Sequence, residues 1–269
     1  VDGATVREPG RAVAAGARVE WNKHRKALPR ARLSLGLLHR DERLLIVDKP
    51  PGLLSVPSPA APPGQDSALA RVREYVRHLT PRHPYVGVVH RIDRDTSGAL
   101  AFALSEAARQ ALRRLFREHR IERRYAALVA GSPRGERGEV DLPIHDQYQG
   151  GRRRVARPGE PSRPALTRWS VLERFRGAAL LAVDLETGRQ HQIRVHLAHI
   201  GLPILGDPVY GARASRPGPA APARQMLHAQ RLAFVDPLSG ASVRAEAPLP
   251  PDFEQVLAEL RRQRARDRG

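Results

Sequence analysis

Apolar residues along this chain fall into short runs separated by stretches rich in arginine, proline and glycine, and the runs differ in period. Leu44-Leu45-Ile46-Val47 is continuous, as a strand buried on both faces requires. Asp48-Lys49-Pro50-Pro51-Gly52 closes it with residues that force a turn. Ala68, Leu69, Val72, Tyr75, Val76 and Leu79 recur at helical spacing. Strands are predicted at 85–89 and 100–104, on either side of a polar decapeptide. Ser105 is placed to cap a helix running to about residue 119, with Ala108, Leu112, Leu115 and Phe116 inward. Its outer face carries Arg109, Arg113, Arg114 and Arg117.

Further along, Tyr125 opens a strand through Ala130, and strands are predicted around 166–174 and 179–185. The spacing predicts a helix over 190–200 with Ile193, Leu197 and Ile200 on one face. Residues 231–235 and 241–245 flank Asp236-Pro237-Leu238-Ser239-Gly240 as a hairpin, and a short helix starts near 252. Loops rich in proline, arginine and small residues occupy 57–66, 147–164 and 212–225. Many strands, few helices and no βαβ rhythm make this an α+β chain. Residues 1–21 read as a β-rich segment, 22–40 as a basic linker, 41–260 as the main domain and 261–269 as a basic tail. Opening on Val1 and not on methionine, the sequence reads as truncated at its front.

Composition sharpens the picture. The 269 residues, 41% of them hydrophobic, suffice for a large core, yet the formal charge is +18 with a pI near 11.4. GC-rich codon usage explains part of the arginine count but not the failure of acidic residues to balance it. An excess of this size suits a polyanionic partner. Lys23, Lys26 and Lys49 are the only lysines, and arginine, which binds phosphate bidentately and stacks on bases, suits RNA. The absence of cysteine excludes disulfides, thiolate metal sites and cysteine nucleophiles. No run approaches the length of a membrane span and no basic-then-apolar leader opens the chain, so a cytoplasmic enzyme or binding protein is expected.

Three segments carry candidate chemistry. His90-Arg91-Ile92-Asp93-Arg94-Asp95-Thr96-Ser97-Gly98-Ala99 sets two carboxylates at the end of a predicted strand; it reads equally as a solvated turn. Glu122-Arg123-Arg124-Tyr125-Ala126-Ala127-Leu128-Val129 offers a tyrosine that is either core or catalytic. Residues 187–211, with His191, Arg194, His196, His199 and Asp207, read as a capped helix followed by a turn, or as part of a site. Only His196 and His199 share a helix face, and with no cysteine and no His-Glu-x-x-His a zinc site is not expected. Phosphate-cradling and dinucleotide-binding glycine loops are missing, as is a Gly-x-Ser-x-Gly elbow. Carboxylate chemistry without a cofactor, on a basic surface, is what remains.

Together, HRIDRDTSGA, RRYAALV and TGRQHQIRVHLAHIGLPILGDPVYG resemble, in order and spacing, the signature regions of the RluA-type RNA pseudouridine synthases. Segments 48–52, 227–232 and 247–253 fit as well, so the resemblance covers roughly 40–260. It implies a mixed, mostly antiparallel central sheet flanked by helices and loops, with the active cleft across the sheet, and a catalytic domain over 41–260. Residues 1–21 resemble the end of an S-four-like RNA-binding module. The resemblance assigns Asp93 as the catalytic carboxylate, with Asp95 as a bystander, and Arg194 as its partner. It assigns Tyr125 to stack on the target uracil and Arg91 to fill the place of a flipped nucleotide, while Thr96, Ser97 and Gly98 shape the turn. Ile92 and Arg123 stand where the family usually has leucine and lysine. The implied reaction isomerises uridine to pseudouridine in structured RNA, with no cofactor, metal or membrane, in a monomer. Large-subunit (23S) ribosomal RNA is the expected substrate, with transfer RNA as the alternative. Two other classes stay open: a non-catalytic RNA-binding or ribosome assembly factor of the same fold, and a nucleoside glycosidase with two working carboxylates.

Overall fold

The computed structural model describes residues 33–58, 62, 64–80, 84–147, 150–211 and 222–266, together with Ala15. The chain divides into two units, Val1–Arg32 and Leu33–Gly269, and all the described elements belong to the second. The readings of 1–21 and of most of 22–40 therefore lie outside the described residues.

Strands β1 (Gly36–Arg40) and β2 (Leu44–Lys49) form a hairpin, followed by helix α1 (Ala68–Leu79). Then come β3 (Gly87–Val88), β4 (Ser97–Ala103), α2 (Glu106–Arg117), β5 (Glu122–Ala130) and β6 (Arg137–Asp141). A small pair, β7 (Ile144–His145) and β8 (Ser162–Arg163), precedes β9 (Leu166–Phe175), β10 (Ala178–Leu185) and α3 (Gln192–His199). Strands β11 (Leu227–Val235) and β12 (Ser242–Glu246) and helix α4 (Pro251–Arg266) complete the unit. Ten strands make one sheet in the order β1-β2-β4-β11-β5-β10-β9-β6, with β3 added to β4 and β12 to β11. Every described pairing in it is antiparallel except β4 with β11. This is the α+β architecture expected, and among the described residues no helix is long and apolar enough to cross a membrane.

Local chemistry explains most elements. Strands β2 and β4 sit inside the sheet and are buried almost throughout, hence their continuous apolar sequence. Helix α2 starts where Ser105 accepts the amide of Ala108 at 3.1 Å, and it buries Ala108, Ala111, Leu112 and Leu115. Arg114 and Arg117 close its last turn, where the helix dipole favours cations. Among the core clusters of the described residues, one lies around β5, β10, α3 and α4, another around β2, β4, α2 and β12, and a smaller one joins Ile144, Ala165 and Val195.

Several boundaries differ from the sequence reading. Gly36–Arg40, placed in the linker, is β1, which pairs with β2 although much of it is exposed. Residues 137–141, polar at most positions, form β6 because they border β9 at the sheet edge. Helix α4 runs to Arg266, into the segment read as a tail. Ile200, expected on the inner face of the third helix, lies beyond its end and is 39% exposed.

Ser97 and Gly98 belong to β4, not to the turn before it. Gly98 has φ +109°, and a Cβ there would lie 2.2 Å from the Ala229 carbonyl oxygen of the parallel strand β11. The glycine allows β11 to enter between β4 and β5. Gly98→Ala is expected to cost about 2–4 kcal/mol, read from the urea midpoint; a loss within about 0.5 kcal/mol would show that the backbone gives way freely.

Candidate active site

Three elements converge on one hollow of about 460 Å³ at the middle of the sheet. The turn before β4 brings Asp93, β5 brings Tyr125, and α3 brings Arg194, all lining that hollow with Arg91. Because β11 separates β4 from β5, the opening lies across the sheet.

The turn is held almost atom by atom. Ser55 Oγ donates to the Ile92 carbonyl at 2.6 Å and accepts the Ile92 amide at 3.1 Å. The Thr96 amide donates to the Asp93 carbonyl. Lys49, fully buried, donates through Nζ to the carbonyls of Pro50, Leu53 and Arg94 at 2.9, 2.7 and 2.8 Å. Burial pushes its ammonium pKa down to about 7, with Asp95 opposing. Arg224, itself paired with Asp252, donates to the Asp95 carbonyl at 2.9 Å. Gln225 Nε2 donates to Thr96 Oγ1, and Ser97 Oγ pairs with His228 Nδ1 at 2.9 Å. Each carbonyl from Ile92 to Asp95 thus has a donor, as a tight turn beside a core requires.

Arg194 is the cation of the site. Its Nη1 donates to Asp93 Oδ2 at 3.0 Å, while Nε and Nη2 donate to the two oxygens of Asp207 at 2.7 and 2.9 Å. Asp207 is fully enclosed and also accepts the amides of Val209 and Tyr210. Burial alone would raise the Asp207 pKa, but Arg194 and those amides bring it below the ordinary range. Burial likewise works against the Arg194 charge, and the two carboxylates more than restore it. Arg194 also lies over the Tyr210 ring, 5.1 Å from its centroid. Asp93 itself keeps a quarter of its side chain exposed, so its second oxygen is open to the hollow.

The remaining residues fall around this pair. Tyr125 is buried, and burial pushes its hydroxyl up to about 12, so the phenol keeps its proton at neutral pH. Arg91 is exposed, borders three adjoining hollows and has no hydrogen-bond or ion-pair partner among the described residues. Asp95 pairs with exposed Arg94 and makes no ion pair with Arg194. Arg123 reaches the carbonyls of Leu185 and Glu186, and its guanidinium covers Phe116. His196 is enclosed between Thr167 Oγ1 and the Leu142 carbonyl. His90 accepts the Ala101 amide and stacks on Phe116.

The structure thus brings together all four residues singled out from the sequence. Asp207, Lys49, Ser55, Arg224 and His191 were not given a task there. Asp207 lay inside a quoted motif, but only the fold tells a charge aimed at Arg194 from a turn residue.

A carboxylate held by a buried arginine thus faces a hollow beside an aromatic side chain, in a chain of strongly basic composition. Residues 43–199 match the family model described as RNA pseudouridylate synthase. The ribosomal large subunit pseudouridine synthase D of Xanthomonas campestris is 37% identical over 243 residues, which is 87% of this chain and 72% of that one. An uncharacterized RNA pseudouridine synthase of Chloroflexus aurantiacus is 42% identical, over 79% of this chain and 65% of its own length. Among solved structures, human RNA pseudouridylate synthase domain containing 4 superposes with a TM-score of 0.67 at 25% identity, covering 84% of this chain and 93% of that one. The chain belongs to the RNA pseudouridylate synthase family, in its RluA-type branch, and is an isomerase acting on RNA.

Two outcomes follow from the electrostatics. Asp207→Ala leaves Arg194 enclosed with one carboxylate and should lower stability by about 3–5 kcal/mol, whereas Asp95→Ala at the exposed pair should cost less than about 1 kcal/mol; equal urea midpoints for the two variants would contradict this. Burial also pushes four histidines, His90, His191, His196 and His228, below their ordinary pKa, His90 to about 3. They stay neutral in the fold while the unfolded chain takes up protons below about pH 6.5. Stability should be full above that pH and decline as the pH falls from about 6.5 toward 3. His90→Gln should flatten the decline, measured by denaturation at pH 8 and pH 5.

Proposed function

We propose that the protein isomerises uridine to pseudouridine in large-subunit ribosomal RNA, with Asp93 as the carboxylate that acts on the sugar. The observation that carries this reading is the linked set Asp93–Arg194–Asp207, open on one side to a hollow that Tyr125 lines. The N1–C1′ bond breaks and its electron pair goes to the uracil. The base turns over, C5 bonds to C1′, the proton on C5 is lost and N1 takes one up, so reactant and product hold the same atoms. Asp93 either attacks C1′, forming an ester that breaks as C5 bonds there, or removes the proton on C2′ and returns it at that step, and each path needs a free carboxylate oxygen. Arg194 fixes the orientation of Asp93 through the Nη1 hydrogen bond.

Tyr125 supplies a face for the extruded uracil, replacing the stacking it loses. Arg91, which has no hydrogen-bond or ion-pair partner among the described residues, fills the place the nucleotide leaves; a planar guanidinium can stack on neighbouring bases and bind phosphate together. Arg113 and Arg117 line the same hollow from α2 and extend the basic surface toward the RNA backbone. Two relatives named ribosomal large subunit pseudouridine synthase D, at 37% and 36% identity, support the ribosomal substrate.

Mapping pseudouridine in total RNA of a deletion strain against its parent tests the substrate: one or a few large-subunit sites should disappear, and loss confined to transfer RNA would overturn it. Tritium release from C5-labelled uridine RNA tests the chemistry. Asp93→Asn is expected to lower the rate at least ~10³-fold without loss of RNA binding, and a variant as active as wild type would sink the assignment.

A further inference from the structure

Arg123 is a buried cation with no acid of its own. It stands two residues before Tyr125 on β5, so both side chains leave one face of the strand and line the same hollow. Only 8% of the residue is exposed. Its Nη2 donates to the carbonyls of Leu185 and Glu186 at 2.9 and 2.6 Å, and its guanidinium lies over the Phe116 ring, 5.7 Å from the centroid. Nη1 lies beside Gly188, where a Cβ would come within 2.8 Å of it. Nε is buried and has no hydrogen-bond partner. Among the described residues no carboxylate forms an ion pair with Arg123. That of Glu186, which favours its charge, is paired with Arg168.

Its other neighbours carry no charge to offset it. Burial first, then Arg123, hold His90 neutral with a pKa of about 3, and Tyr125 keeps its phenolic proton. Two backbone carbonyls are therefore the only hydrogen-bond partners of the guanidinium among the described residues, and burial works against its charge. A buried charge is ordinarily paired. This one borders the hollow in which the target nucleotide is placed.

A row of cations continues from it. Arg113 and Arg117 line the same hollow from α2. Four residues apart, they stand one above the other on the helix. Both are exposed, and neither has a hydrogen-bond or ion-pair partner among the described residues. Arg109, next in the row, pairs with Glu106 and does not line the hollow. Like charges at this spacing repel, so the row is left uncompensated only where it meets the hollow.

We propose that Arg123, Arg117 and Arg113 bind successive backbone phosphates of the RNA strand that carries the target uridine, with Arg123 taking the phosphodiester that enters the hollow with the extruded nucleotide. This deepens the reading of the hollow as the uridine site and rests on it. A phosphodiester brings its full negative charge on binding, whereas a uracil oxygen gains charge only as the N1–C1′ bond opens. A cation already buried and bonded in the free protein suits the phosphodiester. Arg123 then acts in binding, and no bond or proton of the isomerisation passes through it. The sequence marks Arg123 only as a departure from the usual lysine, because the lack of an acid near it is a property of the fold.

NMR titration of the full chain with uridine 3′,5′-bisphosphate and with uridine tests the deep site. The bisphosphate should bind at least about tenfold tighter than uridine, and Arg123→Gln should bring the two within about threefold while leaving uridine binding unchanged. Uridine 5′-phosphate or uridine 3′-phosphate should reproduce most of the preference. Arg123→Lys, which keeps the charge, serves if Arg123→Gln does not fold, and its preference should fall at least about threefold. A preference absent from wild type, matched by neither monophosphate, or undiminished in the folded variants overturns the proposal. For the row on α2, binding of an unmodified large-subunit ribosomal RNA transcript is followed across a salt series. Arg117→Gln should lower the slope of log affinity against log salt by about 0.7–0.9, and Arg114→Gln, exposed on the same helix but outside the hollow, should leave it unchanged. Equal slopes in the two variants overturn the row. Failure of the Asp93 reading looks different, because then wild type and Asp93→Asn release tritium equally poorly while the bisphosphate preference stands.

Discussion

Arg194 is one cation shared by two carboxylates of unlike standing, and the rest of the site depends on that asymmetry. Asp207 is enclosed, receives two nitrogens of the guanidinium and adds two backbone amides of its own. It therefore fixes the plane of the guanidinium. Asp93 receives only the third nitrogen and keeps its other oxygen toward the hollow. A buried arginine with one partner would have its donors poorly satisfied, and burial of an incompletely paired charge is costly. With Asp207 in place, the arginine is set before substrate arrives and can face Asp93 without being drawn to water. Under the reaction proposed for Asp93, this is electrostatic preorganisation.

The turn that carries Asp93 is governed by the same economy of polar groups. It lies between a buried strand and an open cleft, where its carbonyls cannot all reach water. Lys49 and Ser55, from the end of β2 and the loop after it, and Arg224, from just before β11, serve them. The use of a fully enclosed lysine for this is costly in desolvation, and burial lowers its pKa to about 7 against the pull of Asp95. Gly98 completes the arrangement by letting β11 pass close enough for Gln225 and His228 to reach Thr96 and Ser97.

How much of this was legible in the sequence depends on whether the cause was local. The helices capped by Ser67 and Ser105 and the hairpin at 236–240 follow from residues a few positions apart, so pattern was sufficient. Strands β1 and β6 owe their form to a neighbouring strand and carry no strong apolar signal of their own. In the site, Asp93, Tyr125, Arg194 and Arg91 stood out through the resemblance of whole motifs; composition alone left Asp93 and Asp95 equal. The structure separates them by what each faces, Arg194 for one and exposed Arg94 for the other. Asp207, Lys49 and Arg224 could not be read, because their partners are set by tertiary approach and their residue types are ordinary in turns.

The contacts around Asp93 also have a span in sequence. Asp93 meets Arg194 across 101 residues, Thr96 meets Gln225 across 129, and Ser97 meets His228 across 131. Contacts of such range form only after the intervening chain has given up its loop entropy. During synthesis from the N-terminus, the turn at 92–97 leaves the ribosome long before Arg224, Gln225 and His228 exist to hold it. No shorter growing chain contains the complete arrangement. The geometry is therefore a property of the finished polypeptide, reached when β11 threads beside β4, and the strand that closes the sheet is also the one that completes the turn.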